Sequence, residues 1–320
     1  MFDTFCGNDN AKALLQMGVS AAIKKKDRLP NYLFSGMAGV GKTTMAELVV
    51  KEANAQYVYI NASSISSPQD MIDVLKQEFI KFNGNEQYER IVVTIDECHA
   101  LSAKLEDFLL TAISENVISI KSKAGIENFK IEKNKTGKND FLSWILISNR
   151  CGELANALRS RLIEVQFVKY LPFQKELIAE MYILAKKFSY EKECLGEIAK
   201  RCWTARDIVN CVNEISDFMI ANDITSLTSS NVVDYFNLVG IDEKGLNSLD
   251  RAYLSAIVET GNKASLQTIA SKLNIGTKDV QEMIEPKLLD LNLIEIVSGG
   301  RIVRDQDSID NAMNPFSGKR

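Results

Sequence analysis

The stretch YLFSGMAGVGKTTMAELVVKEA, residues 32–53, decides the fold. It opens as a short apolar strand, turns through a glycine-rich loop and continues as a helix with apolar residues at helical spacing. Residues 36–43, GMAGVGKT, match G-x-x-x-x-G-K-[ST] in full. That spacing has a chemical reason. Gly36, Gly39 and Gly41 let the backbone turn its N–H groups onto phosphate, Lys42 reaches the β and γ oxygens, and Thr43 offers a hydroxyl to Mg²⁺. Val40 and Thr44 complete the candidate nucleotide contacts. A glycine-rich turn at a helix start is the plain alternative, but a strand before and a helix N-terminus behind favour a nucleotide site with Mg²⁺.

The pattern repeats on both sides of this motif. QYVYINA (56–62), RIVVTIDE (90–97) and LSWILIS (142–148) are further apolar runs, and TTMAELVVKEA (43–53) and PQDMIDVLKQEFIKF (68–82) read as helices. Such alternation predicts an α/β domain, a parallel sheet covered on both faces, over 1–171. After Pro172 the strand signals stop. Residues 172–240 read as a bundle of amphipathic helices, and the linker VGIDEKGLNS (239–248) leads to three helices and a hairpin over 241–305. The polar stretch 306–320 reads as a flexible tail.

Composition narrows the chemistry. The chain has 320 residues, 46% of them hydrophobic, and 38 Lys+Arg against 42 Asp+Glu leave a net charge of −4. A uniformly basic nucleic-acid coat is excluded, though a local basic patch is not. His99 is the single histidine, so histidine-cluster metal sites are excluded. Six scattered cysteines without a C-x-x-C pair fit reduced thiols better than disulfides or zinc. No apolar run approaches the length of a membrane span and no leader pattern opens the chain, so a cytoplasmic protein without membrane partners is expected.

About fifty residues beyond the loop, IVVTIDECHAL (91–101) is a strand ending in Asp96 and Glu97. An aspartate there can hold the metal, and the adjacent glutamate can polarise an attacking water. His99 has two readings, a group that tunes Glu97 and a structural histidine at the next turn. LSWILISNR (142–150) brings Ser148 and Asn149 to another strand end, where Asn149 can meet phosphate.

With these motifs in place, the chain resembles AAA+ ATPases, and within them the RuvB-type Holliday junction branch-migration motors. DTFCGN (3–8) is similar to that family's DFIGQ opening, DECHAL (96–101) to DEIHRL, and ALRSRL (157–162) to PLRDRF. EIAKRCWTARDIVNCVNE (197–214) resembles the segment bearing its second sensor. GLNSLDRAYLSAIVE (245–259), LQTIASKLNI (266–275), VQEMIEPKLLDLNLIE (280–295) and GGRIV (299–303) resemble its C-terminal winged helix. The resemblance implies an AAA+ core, an all-α lid and a winged helix, forming a ring, expected to be a hexamer, that hydrolyses ATP to move four-way junction or duplex DNA. It further implies Asn149 (or Ser148) as sensor 1, Arg206 as sensor 2, and Arg161, with Arg159 as runner-up, as an arginine finger acting on a neighbouring subunit. Phe5, Cys6 and Gly7 would line the adenine pocket. The family's loop is GPPG where this chain has GMAG, and Ala157 replaces a proline.

Residues 119–138 stand where the family carries a hairpin for a RuvA-like junction-binding partner, and hold six lysines against two glutamates, net +4. A solvated edge hairpin is an equal alternative. In the winged helix, with its recognition helix at 277–291, Lys278, Lys287, Arg301 and Arg304 are the expected phosphate contacts, assisted by Thr277. Residues 241–305 nevertheless carry eight Lys/Arg and ten Asp/Glu, which favours backbone contacts summed around a ring over tight binding by one copy. A clamp or helicase loader and a DNA-bound nucleotide switch are the alternative functions.

Overall fold

A computed structural model describes residues 2–84, 87–115, 117–122, 125–130 and 142–304. The chain divides into two compact units, Met1–Tyr170 and Leu171–Arg320.

In the first unit the strands are β1 (Tyr32–Ser35), β2 (Ala55–Asn61), β3 (Arg90–Asp96), β4 (Val117–Ser122), β5 (Gly125–Lys130), β6 (Leu142–Ser148) and β7 (Ile163–Gln166). Five of them form one parallel sheet in the order β2-β3-β6-β1-β7. The four strands read from sequence occur within a residue or two of their expected ends. β7 was not anticipated, because an edge strand with only Val165 buried among its four residues carries almost no apolar signal.

The helices are α1 (Asp9–Lys25), α2 (Lys42–Glu52), α3 (Pro68–Gly84), α4 (Ala103–Glu115) and the short α5 (Asn156–Arg159). Alternate residues of the buried strands serve opposite faces. Leu33, Ile91, Val93, Trp144 and Leu146 join Leu75 of α3 and Leu109 of α4 in one core. Tyr32 points the other way, toward α1: a Cβ on Gly18 would fall 1.9 Å from the Tyr32 hydroxyl, so only glycine lets that helix approach. β4 and β5 pair antiparallel as a hairpin, from Val117 opposite Lys130 to Ser122 opposite Gly125. The remainder of the lysine-rich 119–138 segment, with Lys133, Lys135 and Lys138, lies outside the described residues, as does the tail 306–320.

The second unit opens with α6 (Pro172–Lys186), α7 (Glu193–Arg201), α8 (Ala205–Ala221) and α9 (Ser229–Leu238), tied by a short parallel pairing of β8 (Ser189–Tyr190) with β9 (Ser226–Leu227). Pro172 sits in the first turn of α6, where its missing N–H costs nothing. Reciprocal caps start α8 (Thr204 with Asp207) and α9 (Thr228 with Asn231). A winged helix follows: α10 (Ser248–Val258), β10 (Lys263–Ala264), α11 (Leu266–Leu273), α12 (Thr277–Asp279), α13 (Glu285–Asp290), β11 (Ile294–Val297) and β12 (Gly300–Val303). Its strands form an antiparallel sheet, β10-β12-β11, over its own core of Tyr253, Leu254, Ile257, Ile269 and Leu288.

The expected continuous recognition helix at 277–291 is instead interrupted by a π turn, Val280–Ile284. Pro286 gives the reason, since it cannot donate back to residue 282 and its ring crowds the preceding turn. Two basic residues here are also committed to the interior. Lys287 pairs with buried Asp250 at 2.7 Å and donates to the Gly245 carbonyl. Arg301 holds Glu285 through Nε at 2.6 Å and Nη2 at 3.2 Å, and the Tyr253 hydroxyl donates to the same carboxylate.

Arg301→Ala leaves Glu285 buried without its cation. It is expected to destabilise the winged helix by about 3–5 kcal/mol, read as faster amide exchange in β12 and α13 of the full chain. Unchanged exchange there would show that the pair contributes little.

Candidate functional site

All five sheet strands run parallel, so the ends of β1, β3 and β6 open on the same edge of the sheet. The order places β6 between β1 and β3, with Ser148 opposite Ser35 and Leu146 opposite Ile95. The loop from Gly36 to Gly41 follows β1 directly and runs into α2.

Two glycines of that loop are irreplaceable on geometric grounds. Gly36 has φ 143°, and a Cβ there would lie 2.5 Å from the Phe167 carbonyl oxygen. Gly41 has φ 89°, and its Cβ would meet the Phe5 ring at 2.8 Å. Phe5 is therefore packed on the loop, beside the half-exposed Cys6, whose thiol burial pushes up. From the other side the Tyr170 hydroxyl donates to the Val40 carbonyl at 2.9 Å. Lys42 is buried, and its ammonium donates to the Gly36 and Met37 carbonyls at 2.8 Å each. Gly39 also has a positive φ, and Thr44 lies exposed in the first turn of α2.

The Thr43 hydroxyl donates to Asp96 Oδ2 at 2.9 Å, joining loop and β3 across 53 residues of sequence. Asp96 is held on its other oxygen by the Glu97 backbone N–H at 2.8 Å, and Tyr59 donates to Oδ2 at 3.3 Å. A hydroxyl and a carboxylate, oxygens only, beside a phosphate loop are the donor chemistry that suits Mg²⁺. Glu97 follows with a left-handed backbone, φ 54°, and an exposed carboxylate. His99 Nδ1 lies 3.4 Å from Glu97 Oε2 and 3.0 Å from the Ser148 hydroxyl. Asn149, next along the chain, is exposed at the end of β6.

The remaining expected residues fall in three places. Arg161 is exposed just beyond α5, with Nε donating to Ser114 at 2.6 Å and Nη1 to the Ala157 carbonyl at 2.8 Å, and Arg159 pairs with Glu164 at 3.2 Å. Arg206 is exposed in the first turn of α8, in the second unit. Of the expected DNA contacts, Lys278 and Arg304 are exposed, and each faces a glutamate, Glu282 at 4.0 Å and Glu295 at 3.1 Å. Thr277 is exposed at the start of α12. Lys287 and Arg301 do not fit that role, because their charges are spent on Asp250 and Glu285 inside the domain.

Three contributors escaped the sequence reading. Asn8, buried in a left-handed conformation, accepts from the Val168 N–H at 2.7 Å, and Tyr170 and Tyr59 touch the loop and Asp96. Asn8 had a faint signal as the last residue of DTFCGN; the tyrosines stand outside any motif. The six cysteines are free thiols, four of them buried, and burial raises Cys98 well above the usual thiol range. Among the described residues no helix is long and apolar enough to cross a membrane.

Sheet order, phosphate loop and acidic strand end together define a P-loop ATPase core of the AAA+ class, joined to a winged helix. Comparison with known proteins makes this specific. The family model for the Holliday junction DNA helicase RuvB P-loop domain matches residues 1–167, and that for the RuvB C-terminal winged helix domain matches 243–307. The Holliday junction branch migration complex subunit RuvB of Campylobacter lari is 30% identical over 306 residues, covering 94% of this chain and 87% of that protein. Its Helicobacter pylori (strain G27) counterpart is 28% identical over 309 residues, with the same coverage. The solved Thermotoga maritima RuvB Holliday junction branch migration motor shares the fold, with TM-score 0.79 and 24% identity over 95% of this chain and 94% of that one. The chain belongs to the RuvB family of Holliday junction DNA helicases, and its first unit is that family's ATPase core.

Gly41→Ala, strained in φ and pressed on Phe5, is expected to weaken binding of a fluorescent ATP analogue at least ~10-fold. Gly152→Ala, where an added Cβ meets nothing within 4 Å, serves as the control and should leave binding unchanged. Equal affinity in both variants would remove the loop from nucleotide binding.

Proposed function

We propose that this chain is a ring-forming motor that hydrolyses ATP to drive branch migration of four-way DNA junctions. The reading rests on one observation above all, the Thr43–Asp96 contact that joins the phosphate loop to the acidic end of β3. Membership of a helicase family and the winged helix at 243–307 supply the DNA side.

In this reading the loop amides and Lys42 bind the β- and γ-phosphates, with the adenine against Phe5 and Cys6. Thr43 and Asp96 would hold Mg²⁺, which when bound neutralises charge developing on the phosphate oxygens. Glu97 orients a water in line with the γ-phosphorus and takes its proton as the oxygen attacks and the bond from phosphorus to the β–γ bridging oxygen breaks, releasing ADP and phosphate. Asn149 fixes the γ-phosphate from the β6 end. Arg161 reaches the nucleotide of a neighbouring copy, which makes ring assembly a condition of turnover, and Arg206 follows the nucleotide state from the helical lid. A hexamer in the cytoplasm, with a RuvA-like partner docking on the β4–β5 hairpin, completes the proposal. Lys278 and Arg304 are the DNA contacts that remain after the buried pairs are set aside. With each opposed by a glutamate, their grip must be summed over several copies.

The deciding experiment is ATP-dependent migration of a synthetic four-way junction compared with a linear duplex, with particle mass measured in parallel. Glu97→Gln is expected to retain ATP binding while losing about 10²-fold or more in turnover. Mixing Arg161→Ala with Lys42→Ala subunits should restore ATPase activity that neither has alone, since an arginine finger contributes about 10³–10⁵ in rate. Junction-independent hydrolysis by a monomer would replace the motor with the nucleotide switch.

A further inference from the structure

His99 stands between the two strand ends that the proposed hydrolysis uses. Its ring is set by the short turn Cys98–Ala100, anchored by fully buried Cys98, and the side chain is only 9% exposed against 48% for Glu97. Nδ1 lies 3.0 Å from the Ser148 hydroxyl and 3.4 Å from Glu97 Oε2. A carboxylate can only accept, so Nδ1 serves both neighbours when it carries the proton. The Ser148 oxygen in turn accepts the Arg150 backbone N–H at 2.9 Å, an arrangement that closes the turn around Asn149. Ser148 is buried and stands opposite Ser35, the last residue before the phosphate loop.

We propose that His99 is a positioning residue, which ties the Glu97 carboxylate to the Ser148 hydroxyl that shapes the Asn149 turn. The polar partners of Nδ1, Ser148 and Glu97, are both side chains of the candidate site. Glu97 is an exposed side chain leaving a left-handed backbone position, and His99 is the group that meets its carboxylate. Through His99, displacement of the Asn149 turn by phosphate is transmitted to the carboxylate that must face the water. The inference rests on the water-orienting role of Glu97.

The test is a steady-state ATPase comparison of His99→Ala, His99→Asn, His99→Gln, Ser148→Ala and the His99→Ala/Ser148→Ala pair, with Glu97→Gln alongside. An asparagine amide nitrogen occupies the place of Nδ1, whereas that of glutamine reaches the place of Nε2. His99→Ala is expected to lower kcat ~10- to 100-fold with KM and ATP-analogue binding nearly unchanged, as misplacement of a reacting group does. Asn should restore most of the rate and Gln should not. Ser148→Ala should resemble His99→Ala, and the pair should be no slower than either, as for two residues acting as one unit. Normal kcat in His99→Ala, equal rates for Asn and Gln, or multiplying losses overturns the proposal. If His99→Ala fails to fold, the Asn–Gln contrast and Ser148→Ala decide alone. An active Glu97→Gln would overturn the role of Glu97 and this inference with it; an inactive Glu97→Gln beside a fully active His99→Ala would remove only the inference.

Discussion

Everything at the candidate site depends on β6 lying between β1 and β3 with all three strands parallel. Parallel pairing gives the strand ends one common edge, and the central position of β6 brings Ser148 and Asn149 between the phosphate loop and the acid pair. Both faces of such a sheet must be covered, and α1 with its Gly18 approach and α3 and α4 with their apolar faces provide that cover. The same burial makes the strand bodies stiff. What projects beyond them is then held by a few hydrogen bonds: Thr43 to Asp96, Asp96 to the Glu97 amide, Ser148 to the Arg150 amide, and His99 near both Glu97 and Ser148.

The second unit distributes its charge differently. Two of its partly buried cations, Lys287 and Arg301, neutralise buried carboxylates, an arrangement whose loss is costly even though the intact pair need not be strongly stabilising. Two of its exposed cations, Lys278 and Arg304, face glutamates.

The phosphate loop, Asp96, Glu97 and four of the five sheet strands were legible in the chain because local demands fix them. A loop that wraps phosphate needs glycines at set spacing, and buried parallel strands read as unbroken apolar runs. The edge strand β7 was illegible, since three of its four residues face solvent. The continuous recognition helix was misread because the π turn at Val280–Ile284 follows from how Pro286 fits a packed domain rather than from periodicity.

Charge was the other blind spot. A lysine or arginine looks the same in sequence whether it meets solvent or a buried acid, so Lys287 and Arg301 could not be told from Lys278 and Arg304. The two readings of His99 were open for the same reason: its neighbour Ser148 lies 49 residues away, and only sheet order brings the two within 3.0 Å. The sequence by itself determined which chemical groups this protein carries and the family it resembles, because backbone geometry and burial impose those residue types locally. The tertiary structure decided which groups meet, because strand order and packing are settled by long-range burial that no local pattern records.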